Sequence, residues 1–180
     1  MSYLLKVALL SVLYLSSVAA TAAGIDIFDA ARQGDVPAIA AYAQQGGGVD
    51  VVNRSAYTPF ILATYHGHDD AAKTLIEAGA DACAVDEKGS NAYMGVAFKG
   101  FTHTAQWLLD NTTCDINHRN YAGQTALMMA SLFGREAIVE LLIQQGADPT
   151  IIDYQGNTAE SLAQGQGLTH ILDIIRFNLK

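Results

Sequence analysis

Basic residues are scarce in this chain, and so are cysteine, proline and tryptophan. Ten Lys and Arg stand against 18 Asp and Glu, for a formal charge of −8. So acidic a surface repels the phosphates of nucleic acids and the headgroups of anionic bilayers, which disfavours nucleic-acid binding. Two cysteines, Cys83 and Cys114, cannot build a disulfide scaffold in a chain of 180 residues, although an even count permits one bridge. No serine or cysteine sits in a G-x-S-x-G context, and no H-E-x-x-H or paired-cysteine spacing offers a metal site. The run Gly46-Gly47-Gly48 lacks the Lys-Ser/Thr of a phosphate loop and reads as a helix end and turn. His66-Gly67-His68-Asp69-Asp70 reads as a helix start whose acids face the positive end of the helix dipole. No catalytic residue, metal or cofactor is therefore expected. Low-complexity tracts and coiled-coil heptads are missing too.

What the chain does have begins with an apolar leader. Lys6 precedes an apolar run over residues 7–15, and small residues then end in Ala20-Thr21-Ala22 or Thr21-Ala22-Ala23. This is the layout of a secretory signal peptide over residues 1–23, leaving a mature chain that begins at or near Ala23 or Gly24. Its removal takes away only Lys6, so the mature chain has 9 basic against 18 acidic residues. Export to a bacterial periplasm is the expectation, with no membrane contact once the leader is cleaved. A retained membrane anchor is the alternative, because residues 4–23 match the ~20 residues of a helical span.

The rest of the chain repeats. Gly34, Gly67, Gly100, Gly134 and Gly167 follow one another at steps of 33, 33, 34 and 33 residues. Nine residues before each of the last four stands Thr58, Asn91, Thr125 or Thr158, side chains whose oxygen can accept from the free N–H groups that open a helix. Pro59 suits the first helical position after Thr58. Seventeen residues after each cap position runs an apolar column: Tyr42, Leu75, Leu108, Leu142 and Ile175. The pattern predicts a helix, a tight glycine turn, a second helix and an extended link. A single unit cannot bury its apolar face, whereas a stack of more than ~3 can.

The stretch "TPFILATYHGH", residues 58–68, together with "EAGAD" and "QQGADP", resembles the ankyrin repeat. The resemblance implies an all-α solenoid of stacked helix-turn-helix units with short hairpin fingers. Its repeats span about 25–53, 54–86, 87–119, 120–152 and 153–180, the first and last acting as caps. The chain departs from the family where a histidine usually stands three residues after the cap. Ile61, Met94, Met128 and Ser161 occupy that place, so the family's cross-repeat hydrogen bond is expected to be missing. Repeat three carries an extra residue near Thr112-Thr113 and lacks a glycine after its second helix, which should make that turn the least regular. Cys83 and Cys114 fall on the same side of adjacent repeats. Stacked helices lie about 8–10 Å apart and a disulfide needs Cα atoms about 4.4–6.8 Å apart. Two buried free thiols are the favoured expectation, and a bridge through the irregular turn stays open.

The resemblance implies a protein-binding role, with partners held by the fingers and by the exposed ends of the first helices. The matching positions lie four, three and one residues before the cap and seven and eight after it. They hold, among others, Arg54, Tyr57, Tyr65, His66, Phe98, Lys99, Tyr121, Phe133 and Tyr154, with Glu87 and Lys88 adjacent on the second finger. Four of the six tyrosines beyond the leader are in this set. Packing does not demand aromatics there, and Tyr and Arg are enriched at binding hot spots; some of these rings could instead pack on neighbouring fingers. The chain also resembles the small periplasmic ankyrin proteins of bacteria, a group associated with catalases and protection from peroxide. That resemblance implies a periplasmic catalase as partner. The alternatives are an immunity or inhibitor protein that occludes an exported toxin or hydrolase, and a membrane-tethered scaffold if the leader is retained.

Overall fold

Each repeat starts with a side chain that closes the open end of a helix. The Thr58, Thr125 and Thr158 hydroxyls and the Asn91 amide oxygen accept from the N–H groups of Ile61, Met128, Ser161 and Met94 at 3.1–3.3 Å. Ser161 returns the bond by accepting from the Thr158 N–H, which completes a capping box. In the first repeat Asp26 does the same work for Phe28 and Asp29. From these starts a computed structural model, describing residues 24–179, builds ten helices among the described residues. The leader expected over residues 1–23 lies outside the described residues.

The helices pair along the chain: α1 (Ile27–Gln33) with α2 (Val36–Gln44), α3 (Pro59–Tyr65) with α4 (Asp69–Glu77), α5 (Ala92–Lys99) with α6 (Thr102–Asn111), α7 (Ala126–Leu132) with α8 (Glu136–Gln144), and α9 (Ala159–Gly165) with α10 (Thr169–Phe177). The odd-numbered helices form one continuous inner row and the even-numbered ones an outer row. The architecture is an all-α repeat solenoid. No described helix is long and apolar enough to cross a membrane.

The core runs between the rows. Leu75, Leu108, Leu142 and Ile175 are at most 2% exposed, as their column predicts. Tyr42 is the exception: it is half-buried, its ring lies over Gly47, and Ile39 fills the interior of α2 instead. Some of the glycines that follow the inner helices have two duties, a left-handed turn and room for a side chain of the next repeat. Gly34 has a φ of 70°, and a Cβ there would stand 2.8 Å from the His68 ring of the next repeat; at Gly67 (φ 75°) it would meet Phe101 at 3.3 Å.

Cross-repeat hydrogen bonds do occur, from positions other than the family's histidine. His68 Nε2 bonds the Arg32 carbonyl at 2.9 Å, and the Arg135 guanidinium donates to the Phe98 carbonyl at 3.1 and 3.2 Å. Both reach back to the carbonyl end of the preceding inner helix, where acceptors are otherwise left over. His68 is thus engaged with backbone. Neighbouring fingers are also tied through backbone: the N–H groups of Glu87, Tyr121 and Tyr154 donate to the carbonyls of Ser55, Lys88 and Ala122 at 2.9–3.1 Å.

The extra residue in repeat three lengthens α6 to ten residues. Thr112 follows it in extended conformation, and its hydroxyl donates to the Leu108 carbonyl at 2.8 Å. Beyond it, Cys83 and Cys114 are joined in a disulfide with Cα atoms 5.4 Å apart. The expectation of two buried free thiols is corrected on both counts, since Cys83 is also exposed. The spacing of stacked helices does not apply to the links beyond them, which approach much more closely.

Candidate functional site: a groove between fingers and inner helices

The fingers stand beside the C-terminal ends of the inner helices because each is closed at its base by one side chain. Asn53, Asp86, Asn120 and Asp153 recur just before the fingers. One oxygen of each accepts from the N–H groups two and four residues on, at 2.8–3.1 Å. The side chain thereby mimics a backbone turn. Burial alone would raise the Asp153 carboxyl, but the bonds from Asn157, Gln155 and Gly156 outweigh it and hold the group below the usual carboxylate value.

Along the inner helices the structure brings together Tyr65, His66, Phe98, Lys99 and Phe133. Tyr65 and Phe98 occupy the same place in successive repeats and stack, with ring centroids 6.2 Å apart and planes 10° apart. Phe133 lies one position later in its own repeat, and so meets Phe98 edge-on at 4.6 Å and 81°. The Lys99 ammonium sits 5.1 Å from the Tyr65 ring centre and 5.8 Å from that of Phe101. Phe98 and Phe133 are 38% and 41% exposed, so the row offers open faces to solvent while its members touch one another. At its N-terminal end the His66 ring stands edge-on to Tyr65, with centroids 5.7 Å apart, and parallel to His68. Burial, and after it the positive charges of His68, Lys99 and Arg32, hold the His66 imidazole below its ordinary value.

The remaining expected site residues are not part of this row. Arg54 is exposed on the first finger. Tyr57 is half-buried and packs on the core; burial, then the nearby charge of Asp86, raises its phenol above the ordinary value. Tyr121 and Tyr154 are 71% and 73% exposed, yet each ring lies against a glycine of the preceding finger, Gly89 and Gly123. Arg119 covers the Tyr154 ring at 5.3 Å while donating to the Ile152 carbonyl at 2.7 Å. These two tyrosines therefore splint finger to finger as well as facing solvent.

Two hollows open between fingers and helices. The first, of about 310 Å³, lies among Arg32, Asn53, Ser55, Tyr57, Tyr65 and His66. The second, of about 210 Å³, is framed by Tyr65, Lys88, Met94, Gly95, Phe98 and Met129, with Asp86 and Ser90 at its finger side. Gly95 is a residue that sequence reasoning passed over. It sits inside α5 without the positive φ that would require glycine, and such a helix-interior glycine costs roughly 1 kcal/mol relative to alanine. Its counterparts four residues after the other caps are Leu62, Met129 and Leu162, so one gap in an otherwise apolar column was the available signal. A larger furrow, of about 580 Å³, runs between α8 and α10 on the opposite, outer side, among Ile143, Ile174 and Phe177. It gathers none of the aromatic row or its lysines.

The family model for ankyrin repeats matches three overlapping spans, residues 27–120, 61–153 and 94–175. Neurogenic locus notch homolog protein 1 of Mus musculus is 30% identical over 138 residues, which is 76% of this chain and 6% of the relative. The Homo sapiens protein of the same name is 29% identical over the same length. The chain thus corresponds to about 6% of the length of such relatives. The ankyrin repeat protein YahD of Escherichia coli (strain K12) is 25% identical and aligns over 83% of this chain and 94% of its own length.

Proposed function

The chain belongs to the ankyrin-repeat family, and from that premise we propose that it is an exported, non-enzymatic module holding a protein partner in the groove between its fingers and inner helices. Ankyrin repeats are protein-interaction modules. The observation that carries the reading is the Tyr65–Phe98–Phe133 row: three aromatic rings from three consecutive repeats, touching one another and partly open, beside Lys99. Rings held this way present rigid contact area at little entropic cost, which is what a hot spot requires.

Export to a periplasm is supported by the leader-like residues 1–23 and by a disulfide, a bond that persists in oxidising compartments. For the partner we propose a periplasmic catalase, on the resemblance to small periplasmic ankyrin proteins. The test is capture from periplasmic extract by the wild-type chain, by a Tyr65→Ala/Phe133→Ala variant, and by an Asp110→Ala/Glu140→Ala control altered on exposed outer helices. Loss of an aromatic anchor of ~2 kcal/mol weakens binding about thirtyfold. Capture should vanish in the aromatic variant and survive in the control, with thermal stability nearly unchanged in both. Equal loss in the two variants removes the groove from the reading. Recovery of a toxin or hydrolase in place of a catalase replaces the proposed partner and leaves the groove standing.

A further inference from the structure

We propose that the hollow at Gly95 is a socket for one apolar or aromatic side chain of an acidic, extended partner segment, whose carboxylates lie along Lys88, Lys99 and Arg32. The inference rests on the groove being the partner surface and goes on to state the partner's chemistry.

Three observations carry it. The first is the glycine itself. A Cβ at position 95 would stand 3.2 Å from Tyr65 Cδ2, so the leucine or methionine found at this place in other repeats would crowd the Tyr65 ring that walls the hollow. The hollow beside it, of about 210 Å³, is walled by Tyr65, Met94, Phe98 and Met129. Aromatic and thioether walls suit an apolar guest, and methionine adapts to the guest's shape.

The second observation is charge. The mature chain carries 9 basic residues against 18 acidic, but in the groove basic residues match the acids in number. Lys88 lines the socket, Lys99 stands over the neighbouring Tyr65 ring, and Arg32 lines the adjoining hollow. Three carboxylates lie near, and Asp29 is paired with Arg32 at 3.8 Å. Asp86 is only 9% exposed, with one oxygen committed to the Lys88 and Ser90 N–H groups. Glu87 is exposed on the finger beside Lys88. A basic segment would meet like charge at the socket, whereas an acidic one is attracted there and repelled by the rest of the surface, which favours this register over others.

The third observation is the continuity of the two hollows, which share Tyr65. An extended strand of a few residues can therefore place one side chain in the socket and its acidic neighbours over Arg32 and Lys99.

The test uses the full chain labelled with [methyl-13C]methionine. Met94 and Met129 line the socket, and Met128, which does not line it, serves as the internal reference. The probes are three blocked pentapeptides: Asp-Glu-Phe-Asp-Glu, its Lys-Lys-Phe-Lys-Lys counterpart, and Asp-Glu-Ala-Asp-Glu. The acidic phenylalanine peptide should move the Met94 and Met129 methyls to saturation. The basic peptide and the alanine peptide should each bind about tenfold more weakly or worse, and raising salt from about 0.05 to about 0.5 M should weaken the acidic peptide. Gly95→Leu should abolish the methyl shifts. If that variant melts early, Gly95→Ala, which favours helix and displaces the Tyr65 ring by a few tenths of an ångström, should still weaken binding without lowering Tm. Equal binding of the basic peptide, no binding of any peptide, or unchanged binding by the Gly95 variants overturns the socket. Shifts confined to the Tyr65 and Phe133 ring signals would also overturn it, while leaving the groove as a partner surface intact.

Discussion

The link from repeat two to repeat three and the link from repeat three to repeat four occupy the same places in the repeat and use different chemistry. At the later link Asn117 Oδ1 accepts from the Asp148 N–H at 2.8 Å, and one repeat before the disulfide Asp50 Oδ1 accepts from the Asp81 N–H at the same distance. Cys83 stands in the column of Asp50 and Asn117, where it has no carboxyl or amide oxygen to offer. It bonds instead to Cys114, the residue just before the aspartate that corresponds to Asp81 and Asp148. The turns differ in step with the links: Gly79 and Gly146 take φ of 95° and 89°, whereas Thr112 is extended at −129°. Where repeat three carries its extra residue, a covalent bond one residue earlier stands in place of the amide hydrogen bond. At this same place the outer helices α4 and α6 pack least closely of any adjacent outer pair, joined by a side-chain contact between His103 Nδ1 and Asp69 Oδ2. The comparison teaches that the link is a fixed requirement of the stack while its chemistry is interchangeable.

Four experiments break or sharpen that comparison. The largest effect should come from the core beside the hydrogen-bonded link. Leu142, 2% exposed in α8, should cost about 2–5 kcal/mol as Leu142→Ala, from lost burial and the cavity left behind. Urea melts check this, and a smaller loss than the link variants give would show that links, not burial, dominate the stack. Next is the disulfide: Cys83→Ser/Cys114→Ser should lose about 2–4 kcal/mol. A Cys83→Asp/Cys114→Ala chain, which restores the side chain used one repeat earlier, should regain about 1 kcal/mol of that; no recovery would deny that the two chemistries are interchangeable. Third, Asn117→Ala should cost about 1 kcal/mol, well below the disulfide loss, because a single exposed hydrogen bond is removed. Matching losses at the two links would erase the distinction drawn between them.

The smallest effect is electrostatic. The Thr150 hydroxyl and N–H hydrogen-bond Asp148 and hold its carboxyl below the ordinary value, with burial opposing only weakly. A depressed carboxyl contributes stability that is fully present above the unfolded value of about 3.9 and is lost as pH falls through the lower folded value. Acid should therefore loosen the turn after α8 while the Cys83–Cys114 bond holds its own. The Thr150 amide shift should titrate with a midpoint below that of a model aspartate, and a midpoint at or above it would remove the assignment.

The stack was legible because its requirements are local and recur. A cap must be a short oxygen-bearing side chain, so Thr58, Asn91, Thr125 and Thr158 announce helix starts, and the glycines that must turn left-handed announce helix ends. The first repeat was less legible because its cap, Asp26, is an aspartate one position off the column. The groove was legible in part. Tyr65, Phe98, Lys99 and Phe133 stood out as aromatics and a cation where packing asks for none, and the structure puts them side by side. Tyr121 and Tyr154 satisfied the same criterion yet spend one face on a neighbouring finger's glycine, a contact between repeats that no single repeat encodes. Gly95 was missed for a related reason: what matters there is an empty volume, and emptiness appears only when four repeats are laid over one another.

The Cys83–Cys114 bond has one more consequence. A solenoid whose repeats touch only their neighbours opens from its two ends inward, unit by unit. A covalent stitch across repeats two and three means that the segment between the cysteines, which stand 31 positions apart, comes apart last, as one block. That block carries Phe98, Lys99 and Gly95, and its edge lies 18 residues beyond Tyr65. Fraying at either end can therefore proceed while the middle of the groove keeps its shape, so the surface with the most to recognise is also the part of the chain slowest to be forgotten.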